Sequence, residues 1–206
     1  MTVTEIISID KKRSRVFFEQ EESIVLYNGE IRRFHMEAGR ELKEEVFFQI
    51  QEEILKKRVK ERALYLLKSM DRTEEEIRAK LKKGYYSTEL IDYAICFLKE
   101  YNYIDDLRYA KNYIRTYTGK KSRKNIQQNL YLKGISKETA EEAFEIFYGE
   151  TEDIGEKEMI YALLKKRKYP FKDADRKEQN REMGFLFRKG FEMEEILYCL
   201  KNPPKE

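Results

Sequence analysis

One segment of the sequence gathers positive charge in a pattern that could bind a polyanion. Residues 107–135 contain no acidic side chain, although the 206-residue chain has 39 acidic and 42 basic side chains in total. The basic residues of this segment are candidate anion-binding residues: Arg108, Lys111, Arg115, Lys120, Lys121, Arg123, Lys124 and Lys133. Contacts between such cations and phosphates release counterions, which favours binding to a polyanion. The net charge of +3 does not by itself identify a partner.

The densest part of this segment is a predicted loop at residues 116–124, which has four cations within five positions beside a helix N-terminus. Backbone N–H groups and the helix dipole favour anions there. We predict that Ser122 caps this helix and also donates a hydrogen bond to phosphate. Three interpretations stay open: a polyanionic partner, an acidic protein surface such as the chain's own acidic residues 138–158, or a solvated loop. The complete absence of acids favours an anion-facing surface.

Tyrosines are interleaved with these cations. Tyr109, Tyr113 and Tyr117 recur every four residues and therefore lie on one face of a predicted helix. Such a stripe packs into a core more often than it stacks on nucleobases. We predict core positions for Tyr109 and Tyr113 and leave Tyr117 open, because it borders the loop.

Two further groups of basic residues precede this segment. Lys80, Lys82 and Lys83 could extend the basic surface. Residues 56–62 are also basic, but acidic residues about one helical turn away, such as Glu52, partly offset them. This second group is therefore predicted to be a solvated helix face.

The residues that common catalytic and metal sites need are missing. The sequence has no phosphate-binding glycine loop and no hydrolase nucleophile motif, and its single histidine, His35, is predicted to be a structural residue in a strand. Cys96 and Cys199 lie in apolar runs and are predicted to be buried thiols in a reducing cytosol. We expect no catalytic residue, no metal and no cofactor. The lack of an 18-residue apolar stretch or a signal-like N-terminus predicts a cytoplasmic protein without membrane contact.

The elements that must position these residues begin with a small β region, predicted at residues 1–40. Residues 5–9, 15–18 and 23–27 are short runs rich in β-branched and aromatic side chains. Asn28-Gly29 is typical of a type I′ turn, and residues 31–35 would form the returning strand. The prediction is an antiparallel meander of three or four strands.

The rest of the chain is predicted to be helical, which makes the fold class mainly α. A connecting helix is expected at residues 41–62. Thr73 is predicted to cap the helix at residues 74–83, in a capping box with Glu76, and Ser87 is predicted to cap the next helix.

Three segments then share a pattern in which an amphipathic helix ends in a basic residue, a glycine and an apolar residue. When they are aligned on Gly84, Gly134 and Gly190, a second helix follows each glycine. Each glycine is expected to adopt the left-handed conformation that ends a helix. We predict tandem three-helix repeats at residues 63–106, 107–152 and 153–206.

Three motifs occur in the same order as in a known family. They are residues 63–81 (ALYLLKSMDRTEEEIRAKL), 103–110 (YIDDLRYA) and 130–136 (LYLKGIS). Together they resemble the RecX family, the regulators of the RecA recombinase, strongly over residues 60–145 and more loosely at residues 185–191. One departure is Asn102, which stands where a glycine is common in that family.

The resemblance implies an elongated, curved array of three-helix repeats that lodges in the groove of a RecA filament on single-stranded DNA. There it would inhibit or modulate strand exchange, ATP hydrolysis and co-protease activity, in DNA repair and the SOS response. The basic residues named above would contact the filament or nucleic acid, with double-stranded DNA as a further ligand. We expect a monomer and no enzymatic activity.

Two other functions stay open. Three-helix units joined by a glycine turn also resemble a stand-alone helix-turn-helix regulator of duplex DNA. The candidate recognition helices at residues 90–98 and 139–147 carry acids and no arginine, which disfavours base recognition. The third function is a scaffold that binds protein only.

Overall fold

The computed structural model describes residues 1–150 and 155–204, with the side chain of Glu150 left aside. The chain forms two compact units, Met1–Asp105 and Asp106–Glu206. The predicted boundary between residues 152 and 153 lies outside the described residues, as do Glu152 and Asp153 of the predicted acidic segment.

The N-terminal unit begins with a three-stranded antiparallel sheet in the order β1 (Val3–Ser8), β2 (Arg13–Phe18) and β3 (Ile24–Tyr27). Val16 of the central strand pairs with Ile6 on one side and with Ile24 on the other. Side chains that alternate along β2 and β3 are buried against the helices, and these are Val16, Phe18, Ile24 and Leu26. The predicted strands are therefore confirmed.

The predicted fourth strand and type I′ turn are wrong. Helix α1 (Asn28–Arg33) occupies these residues. The Tyr27 N–H donates to the Glu30 carboxylate at 2.8 Å, which caps a helix N-terminus. The Asn28 side chain accepts a hydrogen bond from the Ser14 hydroxyl at 2.8 Å, so it serves as an anchor to β2. His35 lies exposed after this helix with φ 50°, rather than in a strand.

A nearly continuous helix then runs through α2 (Glu44–Gln49), a π-helical segment (Ile50–Leu55) and α3 (Lys56–Leu67). The wider π turn shifts the buried face by one residue. As a result Leu55 is buried beside Ile50, whereas Ile54, an apolar position of the predicted helix, is only partly covered.

Helices α4 (Glu74–Lys83) and α5 (Thr88–Glu100) complete the N-terminal unit. Their predicted caps are confirmed, since Thr73 and Ser87 accept hydrogen bonds from the N–H groups of Glu76 and Leu90. The burial predicted for Cys96 is wrong. The buried face of α5 is instead formed by Leu90, Ile91, Ala94, Ile95 and Leu98.

The left-handed position of the first repeat is not its glycine. Gly84 has φ −84°, and the next residue, Tyr85, has φ 63°. In the other two repeats the glycines do adopt this conformation, with φ 82° at Gly134 and 88° at Gly190. The reason is that the repeats align on a fully buried leucine, and the left-handed residue lies four positions later. The three leucines are Leu81, Leu130 and Leu186.

The C-terminal unit contains two groups of three helices. The first group is α6 (Asp106–Tyr117), α7 (Arg123–Leu132) and α8 (Lys137–Glu150), around a core that includes Ile114, Leu130 and Phe144. The second is α9 (Glu156–Lys166), α10 (Arg176–Arg188) and α11 (Met193–Lys201), around a core with Ile160, Leu186 and Phe191. Cys199 lies in this core, as predicted.

Candidate nucleic-acid interface

Three of the predicted cations share one face of α6. Arg108, Lys111 and Arg115 are spaced by three and four residues, so they lie above one another along the helix. The buried residues of α6, Ala110 and Ile114, form a separate stripe that packs into the core, whereas Arg108 and Arg115 are exposed and Lys111, which neighbours Ile114, is half-buried. Helical periodicity thus places this row of positive charge at the surface, along the edge of the buried stripe.

The tyrosines of α6 pack against the same core, as predicted for Tyr109 and Tyr113. The ring of Tyr113 lies 6.3 Å from that of Tyr109 and 4.4 Å from that of Tyr117, between centroids. Burial raises the pKa of the Tyr113 hydroxyl. Tyr117, which the sequence left open, belongs to this packed row.

Two of the cations rest on these rings. The ammonium of Lys121 lies 4.7 Å from the centroid of Tyr117, and that of Lys133 lies 5.5 Å from the centroid of Tyr109. Cation–π contacts of this kind hold a lysine in place without neutralising its charge. The aromatic row therefore positions part of the basic surface.

Five of the predicted cations form no ion pair with a carboxylate within residues 1–150 and 155–204, and they are Lys111, Arg115, Lys120, Lys121 and Arg123. Arg115, Lys120 and Arg123 are exposed, and Lys111 and Lys121 are half-buried. The Arg123 guanidinium lies over the ring of Phe144, 4.9 Å from its centroid. These five are the cations most available to an external anion.

Ser122 caps α7, but the prediction that it also donates to phosphate is wrong. Its side chain is fully buried, accepts from the Asn125 N–H at 3.2 Å and donates to the Gly190 carbonyl at 2.7 Å. The Ser122 N–H donates to the Lys189 carbonyl at 3.1 Å. This residue therefore joins the first three-helix group of the C-terminal unit, α6–α8, to the second, α9–α11.

Two carboxylates from the group α9–α11 lie at the N-terminus of α7. The Arg123 N–H donates to Glu156 at 3.2 Å, and the Lys124 ammonium bonds Glu192 at 2.7 Å. This bond to Glu192 raises the pKa of Lys124. Burial and the nearby Glu195 carboxylate raise the pKa of Glu156, although the Arg123 N–H opposes that shift. At the N-terminus of α7 the structure therefore agrees with the interpretation in which the chain's own acidic residues 138–158 meet the basic segment, since Glu156 belongs to them, whereas Glu192 lies outside that range.

The predicted extension lies on α4 of the N-terminal unit. Lys80, Lys82 and Lys83 are exposed. Lys80 and Lys83 border a cavity together with Arg13, Arg58 and Arg62. Arg58 and Arg62 belong to residues 56–62, which were predicted to be a solvated helix face. Arg62 is exposed, but Arg58 is half-buried, because it pairs with Glu30 and donates to the Val25 carbonyl at 3.2 Å.

Neither a metal centre nor a membrane span is found in the part of the chain that the structure describes. No group of three or more histidine, cysteine, aspartate or glutamate side chains could hold a metal ion there. No helix among those residues is long and apolar enough to cross a bilayer.

A small antiparallel sheet, followed along the chain by three-helix domains in tandem, defines the class of this protein. Family models of the first, second and third three-helix domains of RecX match residues 60–98, 105–143 and 156–200. The chain therefore belongs to the RecX family.

Individual relatives are similar over most of their length. The regulatory protein RecX of Vibrio vulnificus is 35% identical, over 69% of this chain and 91% of that protein. The regulatory protein RecX of Clostridium acetobutylicum is 29% identical, over 97% of this chain and 95% of that protein. The crystal structure of RecX from Lactobacillus salivarius is 30% identical, with a TM-score of 0.58 over 71% of this chain and 95% of that one.

Proposed function

We propose that this chain is a non-enzymatic, cytoplasmic regulator that binds the RecA filament on single-stranded DNA. It lowers the recombinase, ATPase and co-protease activities of that filament, in DNA repair and the SOS response. Membership of the RecX family supports the regulatory role. The observation that carries the nucleic-acid contact is the surface row of cations on α6, in which Lys111 and Arg115 form no ion pair with the carboxylates that the structure describes.

In this proposal the residue ranges 63–106, 107–152 and 153–206 act as successive three-helix modules of a monomer. The second module uses opposite charges on two helices. Phosphates would meet the cations of α6, whereas the exposed acids of α8, such as Glu141 and Glu145, suit a basic protein surface. A regulator that enters a groove between protein and DNA needs both kinds of surface.

The structure changes which cations the proposal relies on. Lys124 is paired with Glu192, and the N-terminus of α7 is occupied by Glu156. Phosphate binding would have to break these contacts, and the free energy of breaking them would reduce the affinity. Lys111, Arg115 and Lys120 require no such exchange, so they are the residues to change first.

The test is inhibition of RecA ATPase activity on single-stranded DNA by increasing amounts of this protein. The variant Lys111→Glu/Arg115→Glu/Lys120→Glu should inhibit at least tenfold less well. Its binding should also depend less steeply on salt, by a slope of about 2, because three phosphate contacts are lost. The matched control is Lys165→Glu/Lys166→Glu/Lys177→Glu, which reverses three exposed lysines of the third module.

Two results would contradict the proposal. The first is a wild-type protein that leaves the ATPase rate unchanged when it is equimolar with RecA. The second is equal loss of inhibition in both triple variants, which would indicate an effect of overall charge. Sequence-specific binding to duplex DNA without RecA would instead support the helix-turn-helix alternative, which the acids of α5 and α8 disfavour.

A further inference from the structure

The N-terminal unit contains a basic cavity that the α6 surface does not include. Its volume is about 650 Å³, within the range of small-ligand sites. It is bordered by β2 and β3, by α3 and α4, and by the turn between α4 and α5. The basic residues that line it come from β2, α3 and α4, and they are Arg13, Arg58, Arg62, Lys80 and Lys83.

The charge of this cavity is only partly compensated. Glu61 is its one acidic lining residue. Arg13 pairs with Asp10 at 2.8 Å, and Arg58 pairs with Glu30. The other three cations, Arg62, Lys80 and Lys83, form no ion pair among the residues that the structure describes. Three unneutralised cations around one concave space favour an anionic ligand.

Aromatic rings border the same space. Tyr27 and Tyr85 line the cavity and are 44% and 46% exposed. The Arg58 guanidinium lies 4.7 Å from the ring centroid of Tyr27, and the Arg15 guanidinium lies 5.3 Å from that of Tyr85. Exposed rings beside cations are the combination that binds single-stranded nucleic acid, since bases stack on the rings while phosphates meet the charges.

The backbone at Tyr85 supports a role for its ring. Tyr85 has φ 63°, in the region that disfavours residues with a Cβ. Gly134 and Gly190 occupy the equivalent position of the other two repeats. A glycine would fit the turn better, so the tyrosine is not explained by the turn itself.

We propose that this cavity binds one nucleotide of a single-stranded nucleic acid. Its phosphate lies against Arg62, Lys80 and Lys83, and its base stacks on Tyr85. This deepens the proposed function by adding a second nucleic-acid contact, on the N-terminal unit. The contact is formed without RecA, so it can be tested on the full chain alone.

The first experiment uses a tryptophan reporter, because the natural chain has no tryptophan. In the variant Tyr85→Trp, the oligonucleotide (dT)6 should quench the indole fluorescence in a saturable way. The matched control is Tyr103→Trp, at a tyrosine of the same unit that is 49% exposed and does not line the cavity. Equal quenching of both reporters, or of neither, would overturn the proposal.

Charge reversal provides the second measurement. Lys80→Glu/Lys83→Glu, introduced into Tyr85→Trp, should weaken (dT)6 binding at least fivefold. The control pair Lys57→Glu/Lys68→Glu reverses two exposed lysines of α3 and its end, outside the cavity lining. It should change the affinity less than twofold. Tyr85→Asn tests the ring without a reporter, since asparagine tolerates the left-handed backbone, and labelled (dT)6 should bind it at least fivefold more weakly.

Two further ligands identify the source of the phosphate. Inorganic phosphate and thymidine monophosphate should each compete with (dT)6 only at far higher concentration. Thymidine monophosphate that binds as tightly as (dT)6 would overturn the assignment to a strand. The RecA ATPase assay separates this proposal from the previous one. Inhibition that persists while Tyr85→Trp is not quenched would reject the cavity alone, and quenching without inhibition would reject the regulatory function alone.

Discussion

The turn of the first repeat and the turn of the third repeat share a backbone plan but differ in what surrounds them. In each, a fully buried leucine lies in the last turn of the helix, and its carbonyl accepts from the N–H five residues on, at 3.4 Å. The pairs are Leu81 with Tyr86 and Leu186 with Phe191. The left-handed residue between them is Tyr85 in the first repeat and Gly190 in the third.

The two turns show how one residue decides whether a turn is packed or open. A Cβ on Gly190 would lie 2.6 Å from the Cβ of Asn125 and 2.7 Å from the Ser122 hydroxyl, so only glycine allows α7 to pack there. The equivalent residue of the first repeat, Tyr85, carries a side chain, and this side chain borders the basic cavity. The repeat thus supplies an interface in one copy and a candidate ligand site in another.

The largest difference in stability is expected between alanine substitutions at Gly190 and at Gly84. Gly190→Ala combines a positive φ with a steric clash, so the free energy of unfolding should fall by about 3 kcal/mol. Gly84→Ala should lower it by only about 1 kcal/mol, because φ is −84° and adds no backbone strain, although the new Cβ would lie 3.1 Å from the Leu81 carbonyl and from the Tyr86 ring. Urea unfolding measures both. Similar losses in the two variants would contradict the alignment on the buried leucines.

A buried charge is a second difference between the repeats. Four residues before the aligned leucine, Ile77 and Ile126 are buried in the first and second repeats, but the third repeat has Glu182. Its carboxylate accepts hydrogen bonds from Arg167 and Arg181, each at 3.0 Å. Burial raises the pKa of Glu182, but the bonds from the two arginines outweigh burial and hold that pKa below its usual value.

Glu182→Gln should lower the free energy of unfolding at pH 7 by about 2 kcal/mol, because it leaves the arginines without their anion. Since the folded pKa is lowered, the stabilisation is present above the unfolded pKa of about 4.3 and is lost as the pH falls through the folded pKa. The difference between wild type and variant should therefore shrink from pH 7 to pH 3 in urea unfolding.

A double variant gives the control for that prediction. Glu182→Ile/Arg167→Leu restores the apolar pattern of the other repeats, and its stability should equal or exceed that of the wild type. A gap between wild type and Glu182→Gln that is constant over this pH range would rule out the ionised carboxylate as the cause.

The helix caps of the first two repeats should also differ in their contribution to stability, by a smaller amount. Ser122→Ala removes both the cap of α7 and the bond to the Gly190 carbonyl, so it should cost about 2 kcal/mol. Ser87→Ala removes only the cap of α5, whose bond to the Leu90 N–H measures 3.3 Å, and should cost about 1 kcal/mol. Thermal unfolding of both variants measures the difference. Equal costs would mean that the bond to Gly190 contributes nothing to stability.

The sequence predicted what depends on local patterns. The strands, the caps at Thr73, Ser87 and Ser122, and the core row of α6 follow from periodicity and from residues that satisfy free N–H groups. The π turn at residues 50–55 and the shift from Gly84 to Tyr85 were missed, because a one-residue change of register leaves composition and motif order intact.

The candidate site was less predictable, because it depends on which charges meet after folding. Lys120 and Lys124 are equivalent in sequence terms, yet only Lys124 meets a carboxylate, Glu192, which lies 68 residues away. The basic cavity likewise joins Arg13 of a strand to Lys83 of a helix. Contacts between residues that are far apart along the chain cannot be predicted from the spacing of residue types in the sequence.

Tyr85→Gly should change the free energy of unfolding least, and it tests directly what the Tyr85 side chain does in the turn between α4 and α5. Glycine relieves the left-handed strain, so the free energy of unfolding should rise by about 0.5 kcal/mol, while binding of (dT)6 falls. Tyr65→Gly is the opposite control, since Tyr65 is an exposed residue inside α3, where glycine should cost about 1 kcal/mol. Urea midpoints and oligonucleotide anisotropy are measured on both variants. A Tyr85→Gly variant that is less stable than wild type would mean that the tyrosine ring supports the fold, and the strained backbone would then need no ligand to account for it.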